Sequence, residues 1–393
     1  MEVRQVATII NTIASEMFGD DAIQTEDLSN IVDVGNAFAD ILTDGHAMEN
    51  FTKSLIDHIG RVVVVNRAYR KNSIGIARDA WEYGGILEKI NIELPEATTN
   101  ESWALTSGTK YDDILVYTPP SVSAKFYDKM VTFDIPMSFA LKQVKTAFSS
   151  AAQFNAFIAG IENMISTAIS FYGEMLERRT INSLAVSAPT RINLLAMYNG
   201  DGHPGNAAAI TAATAINDPA FLRYAAAKIA EYSDFMGELS KSFNAGRWAK
   251  QTPAEYQRFV VLSRFARNIE VYSESDTYHN EFVKLIPHIK VSAWQAVGDN
   301  TAESNRTFAD LSTIKAIPAD SADGETVETL SGVVGVLFDR DAAAVCNEDY
   351  RVTSFWNAGN ETTKNYYKWD ARYLNDLNEN VIVFVVADAT AGG

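Results

Sequence analysis

Apolar residues recur at three- and four-residue steps between Gln153 and Val186: Phe154, Phe157, Ile158, Ile161, Ile165, Ala168, Tyr172, Met175 and Leu176. That spacing sets them on one face of a helix and leaves Glu162, Asn163, Ser166, Ser170, Glu174, Glu177 and Arg178 on the others. Ser149 or Ser150 supplies a cap, and Pro189 stops the helix at its far end. At about 1.5 Å per residue this helix, 153–186, runs to roughly 50 Å. Gly160 and Gly173 each weaken it by about 1 kcal/mol, so tertiary packing must sustain it.

Shorter stripes precede it. Val3, Val6, Ile10, Ile13 and Met17 form one, Leu28, Ile31, Val34, Phe38 and Ile41 a second, and Phe51, Leu55 and Ile59 a third. Residues 1–60 therefore read as three helices with too little apolar surface for a core of their own.

From residue 61 the period changes to two. After Arg61-Val-Val-Val-Val65, the residues Ile90, Ile92 and Leu94 alternate with Lys89, Asn91 and Glu93. Farther on, Val131, Phe133, Ile135, Met137 and Phe139 alternate with Met130, Thr132, Asp134, Pro136 and Ser138. A turn-rich centre lies between them, with Asn100, Ser102, Ser107-Gly108, Asp112-Asp113 and Pro119-Pro120. The pattern predicts a two-stranded ribbon running out along the first set and back along the second. Such a ribbon is marginal in water by itself. Trp81, Tyr83, Ile90, Ile92, Trp103 and Tyr111 on it are expected to be buried by another subunit.

Beyond the long helix, Asn199 to Gly205 reads as a loop, and Asn217-Asp218-Pro219 opens a helix that should reach about Asn244. Short strands or buried segments are expected at Phe259–Leu262 and Phe282–Ile286, and Thr301–Glu328 reads mostly as loop. Gly332–Phe338 is a buried strand, and Asp339–Ala344 a short helical turn. Tyr350–Trp356, Lys364–Tyr373 and Val381–Val386 follow closely enough to suggest one antiparallel sheet. The fold class is α+β.

Composition narrows the function. A net charge of -17 over 393 residues argues against a protein that grips nucleic acid by neutralising phosphates, though not against a container around it. One cysteine, Cys346, excludes an internal disulfide and a cysteine-rich metal cluster. The first twenty residues lack the basic start and unbroken apolar stretch of a signal peptide, and no run reaches the length of a membrane span.

Catalytic patterns are missing. His46, His58, His203, His279 and His288 are scattered without ligand spacing. Gly84-Gly85 and Gly332-x-x-Gly335 match no nucleotide fingerprint, and there is no nucleophile elbow. Asp339 and Asp341 beside Arg340 lack a supporting histidine, and Cys346 reads as a small buried residue. The aromatic group Tyr366, Tyr367, Trp369 and Tyr373 reads as sheet core and interface. No catalytic residue, cofactor site or metal site is assigned, and the chain reads as a structural protein.

Three stretches carry a family resemblance: WEYGGILEKINIELPEATTNESWAL in the ribbon, FDIPMSFALKQVKTAFSSAAQFNAFIAGI entering the helix, and the end from GVLFDRDAAAVCNEDY to NENVIVFVVA. With the order of parts, they resemble the major capsid proteins of tailed bacteriophages, the Hong Kong 97-like fold, and most closely those of short-tailed phages of Gram-positive bacteria. The resemblance implies an N-terminal arm at 1–60 and an extended loop at 61–130. A peripheral domain would comprise 131–188 and 336–393, and an axial domain 189–335. The peripheral domain would carry a spine helix through Phe154, Phe157, Ile161, Ile165, Tyr172 and Leu176. It implies pentamers and hexamers closing an icosahedral head around double-stranded DNA, with a separate scaffolding protein and a portal as partners and no membrane. Some members join subunits by a Lys–Asn bond, for which Lys89 or Lys110 and Asn357 or Asn360 are the candidates. The rival readings are an encapsulin-type shell, a tail or baseplate protein, or a cytoplasmic enzyme built on Asp339, Asp341 and Glu348.

Overall fold

The structure is a computed structural model. It describes residues 3–18, 25–26, 29–30, 32–34, 74–78, 87–95, 119, 121–140, 150–274, 285–295, 307–321, 324–357, 359–360 and 362–388. Two compact units share the chain. The first comprises Met1–Ala80, Met130–Leu176 and Cys346–Arg372, and the second Trp81–Lys129, Glu177–Val345 and Tyr373–Gly393.

A four-stranded sheet has the order β1-β11-β12-β4, with β1 Ala77–Arg78, β4 Met130–Ala140, β11 Ala343–Asn357 and β12 Thr362–Asn375, and all of it but 343–345 and 373–375 belongs to the first unit. β4 and β12 run antiparallel from Met130↔Arg372 to Ala140↔Thr362. The alternation of β4 puts Phe133 and Phe139 on the face that meets the long helix, Ala151–Ser187. Phe133 stacks on Trp369 with centroids 4.8 Å apart and tilts against Tyr172 at 5.8 Å, while Phe139 meets Phe157 edge-on at 6.0 Å. Phe154, Ile158, Ile161, Ile165 and Leu176 are buried along the predicted stripe, whereas Tyr172 keeps an exposed edge. Ser150 is the residue that caps the start, its Oγ accepting from the Gln153 N–H at 3.3 Å. The first predicted N-terminal helix is Val3–Phe18, with Ile10 and Ile13 fully buried, and the Asn11 amide exchanges two 2.8 Å hydrogen bonds with the Thr25 backbone. Of the second stripe only 32–34 is described as helix, and the third, like Arg61–Val65, lies outside the described residues.

In the second unit a five-stranded sheet has the order β5-β13-β10-β6-β7. These strands are β5 Thr190–Asn193, β6 Gln257–Leu262, β7 Ile289–Val291, β10 Val333–Asp339 and β13 Val381–Val385. Every residue of β10 and β13 is buried, as expected of strands covered on both faces. Phe384 meets Phe259 and Tyr232 edge-on at 6.0 and 6.1 Å. The helix Pro219–Gly237 starts where Asp218 accepts from the Phe221 N–H at 2.8 Å and buries Phe221, Leu222, Ile229 and Met236. The last turns of the long helix are tied in as well. Asn182 Nδ2 donates to Trp294 O and Ser183 Oγ to Ile317 O, at 2.8 and 2.7 Å.

Several expectations change. The helix from Pro219 ends at Gly237, seven residues short of Asn244, because Glu238 is already extended. Thr301–Glu328 holds a helix at Phe308–Ser312 and the hairpin strands β8 Ile314–Ala316 and β9 Glu328–Leu330, the latter paired antiparallel. Leu285 and Ile286 form no strand, although Leu285 is buried, and residues 282–284 lie outside the described residues. Asp339–Ala344 forms no helical turn: residues 340–342 are a turn between the end of β10 and the start of β11. Val381–Val385 joins β10 and β5, not the sheet of β11 and β12, since its unbroken apolar run suits a two-sided burial that the alternating β12 does not need. Residue 335, where the axial domain is expected to end, lies inside β10.

Candidate interaction surface

The ribbon consists of β2 Leu87–Ile92 and β3 Val122–Tyr127, paired antiparallel from Leu87↔Tyr127 to Ile92↔Val122. Its return strand is thus β3 and not 131–139, which belongs to the four-stranded sheet as β4. Asp128 and Lys129 separate the two runs. Directly opposite residues share a face. One face holds Glu88, Ile90 and Ile92 opposite Phe126, Ala124 and Val122, and the other Leu87, Lys89 and Asn91 opposite Tyr127, Lys125 and Ser123.

Burial inverts the hydropathy of these strands. Ile90, Ile92 and Phe126 are 60, 66 and 61% exposed, and Leu94 and Val122 are open beside them, while Asn91 and Tyr127 are buried. Tyr127 packs with Ala344 and Leu374 against Leu87. Lys89 Nζ donates to Asp341 O at 2.8 Å, to Asp376 Oδ2 at 2.9 Å and to Glu379 Oε1 at 3.4 Å. Lys250 reaches the same Glu379 oxygen at 2.8 Å. Near the far end of β2, Glu93 lies 3.6 Å from Lys241.

Burial pushes the Asp376 carboxyl up. The Lys89 charge, the Tyr127 hydroxyl, the Lys89 hydrogen bond and the Asn378 N–H together outweigh that, and the group is held below its ordinary range. Tyr127 is pushed up, first by burial and then by the nearby Asp376 carboxylate. The ribbon therefore rests on its own unit by its polar face. Its apolar face is turned to solvent, where it can bury only against something else.

Of the predicted contact residues, Ile90 and Ile92 fall on this open face, and Trp81, Tyr83, Trp103 and Tyr111 lie outside the described residues. Sequence reading missed β3. Its Val122-Ser-Ala-Lys-Phe-Tyr127 does alternate, but small residues weaken the signal. It also missed Asp376, whose only cue was a turn-forming Asp between two strands.

The remaining chemistry is structural. Asp339 accepts from Thr252 Oγ1 and from the Asp341 N–H, both at 2.8 Å, and Glu348 pairs with Arg372 at 2.7 Å. His203 Nδ1 faces Asn206 O, and His288 Nδ1 faces Ile286 O. Cys346 is buried, and among the described residues no group of three acidic, histidine or cysteine side chains is placed to hold a metal. A cleft lined by Arg264, Phe308, Thr313, Ser331 and Val386 carries hydroxyls already used, Thr313 Oγ1 donating to Ala309 O at 2.6 Å. Tyr367 and Trp369 are core, and Tyr366 lies between Lys364 and Lys368. No described helix is long and apolar enough to cross a membrane.

Solved structures share this fold. A chain of the capsid of Staphylococcus phage Andhra is 10% identical, with a TM-score of 0.51 over 82% of this chain and 84% of that one. A chain from a structure of the head fibre and inner core protein of native bacteriophage P68 is 11% identical, with a TM-score of 0.54 over 79% and 83%. No curated relative matches by sequence. The comparisons lend nothing to the nanocompartment, tail or enzyme readings. The profile of the Phi29-like phage major capsid proteins, in contrast, spans residues 9–385, and this chain belongs to that family.

Proposed function

We propose that the open face of the ribbon, Ile90, Ile92, Val122 and Phe126, seats on a neighbouring copy and joins subunits of the head. The chain is a capsid protein of the virion, a structural subunit of a shell of many copies. In this reading copies close into pentamers and hexamers of an icosahedral head around double-stranded DNA, assembled with a scaffolding protein and a portal. We read the unit of the four-stranded sheet as the peripheral domain, with Phe154, Phe157, Ile161, Ile165, Tyr172 and Leu176 along its spine helix. The five-stranded unit is then the axial domain. A subunit of charge -17 holds DNA by confinement and counterions, not by gripping phosphates.

The observation that carries the contact is the ribbon's inverted burial, polar side in and apolar side out. Ile92→Asp with Phe126→Asp is the test. Electron microscopy and sedimentation of the purified variant should show soluble subunits and no closed shells. Normal shells would reject the contact. A Lys–Asn bond through Lys89 is disfavoured here, because its amine is already held by three acceptors and Asn357 Oδ1 accepts from the Gly359 N–H. Lys110 lies outside the described residues.

A further inference from the structure

We infer that Lys89 is a positioning residue for assembly: by joining the ribbon to the turns around Asp341 and Asp376, it sets the ribbon's register and keeps its apolar face outward. The inference rests on the proposed role of that face. The turn at 376–380 links β12 to β13, and the turn at 340–342 links β10 to β11. The Asp376 N–H donates to Ala342 O at 2.7 Å, so the two turns are joined to each other independently of Lys89. Its acceptors are two carboxylates and a carbonyl, and the Asp376 side chain is 1% exposed.

The site discriminates among the residues of β2. A slip of one residue brings Glu88 or Ile90 to it. Glu88 is repelled by Asp376 and Glu379, and Ile90 satisfies none of the acceptors. The same slip turns the apolar set inward and the polar set outward. Lys125, directly opposite Lys89, does not substitute for it, since its ammonium lies over the Tyr127 ring at 5.3 Å. One ammonium on β2 thus fixes which face a neighbour meets. The packing of Tyr127 and Leu87 on Ala344 and Leu374 alone would tolerate a looser seat.

The test uses full-length subunits carrying Lys89→Met, Lys89→Arg or Asp376→Asn, with amide hydrogen exchange and shell yield as readouts. Lys89→Met and Asp376→Asn should raise exchange in 87–92 and 122–127 about ten-fold or more, leave β10 and β13 at the wild-type rate, and lower the yield of closed shells. Lys89→Arg, which keeps the charge, should recover part of both. Unchanged exchange in the ribbon overturns the inference. So does a loosened ribbon with wild-type shell yield, and so does equal loosening of β10 and β13, which marks an ordinary core contact. Ile92→Asp run beside them separates the two claims. Normal shells from that variant defeat the docking reading, whereas a native exchange rate in Lys89→Met defeats only the lock.

Discussion

Two antiparallel strand pairs in the same unit, β2–β3 and β10–β13, are both rich in β-branched and aromatic residues. In β10–β13 every residue is buried, Val336 opposite Val383 and Leu337 opposite Ile382. In β2–β3 Ile90, Ile92, Val122 and Phe126 are exposed, and Lys89 does the anchoring while Tyr127 and Leu87 pack on Ala344 and Leu374. A core strand pair is finished within its own chain. The ribbon is finished on one face only, by the charge and hydrogen bonds of Lys89 and by a small apolar contact of Tyr127 and Leu87. The difference teaches that hydrophobic alternation marks which residues will be buried, but not by which molecule.

The sharpest way to break this contrast is in the core. Phe384→Ala removes a fully buried ring that touches Phe259 and Tyr232 and should cost about 3–5 kcal/mol, read by denaturant unfolding of the subunit. Next comes pH, which should act on the ribbon and spare the core. Asp376 is depressed in the fold, so its contribution is present above the unfolded carboxylate pKa of about 3.9 and is lost as pH falls through the lower folded value. Tyr127 is raised, so its contribution is full below about pH 10 and declines as pH rises beyond that. Exchange in 87–92 and 122–127 should therefore accelerate at both extremes before β10 does.

A smaller effect tests the long helix. A Cβ at Gly160 or Gly173 meets nothing within 4 Å, so Gly160→Ala should stabilise the subunit by about 1 kcal/mol in thermal unfolding. Smallest of all is the ribbon's open face. Ile90→Ser should change subunit stability by no more than about 0.5 kcal/mol while lowering shell yield, the reverse of Phe384→Ala.

Long, strongly periodic elements were legible from the sequence. The helix predicted at 153–186 is Ala151–Ser187, and the runs at 332–338 and 381–386 are strands within a residue or two. Partnership was not legible. Phe133 and Ile92 both sit in clean alternation, yet Phe133 faces a helix and Ile92 faces solvent. The choice depends on contacts hundreds of residues away, such as Lys89 with Asp376, which no local period encodes. Gly332 shows the same limit. Placed in a strand by its neighbours, it lies just before β10 at φ +76°, where a Cβ would come within 2.4 Å of the Val386 carbonyl oxygen.

The chain's single thiol belongs to Cys346, buried in β11, so a thiol-directed probe finds no competing site anywhere in the polypeptide. Labelling kinetics at that sulfur then act as a clock for the opening of one named strand. The same measurement can be made on free subunits and on any assembly they form, without adding or removing a single residue.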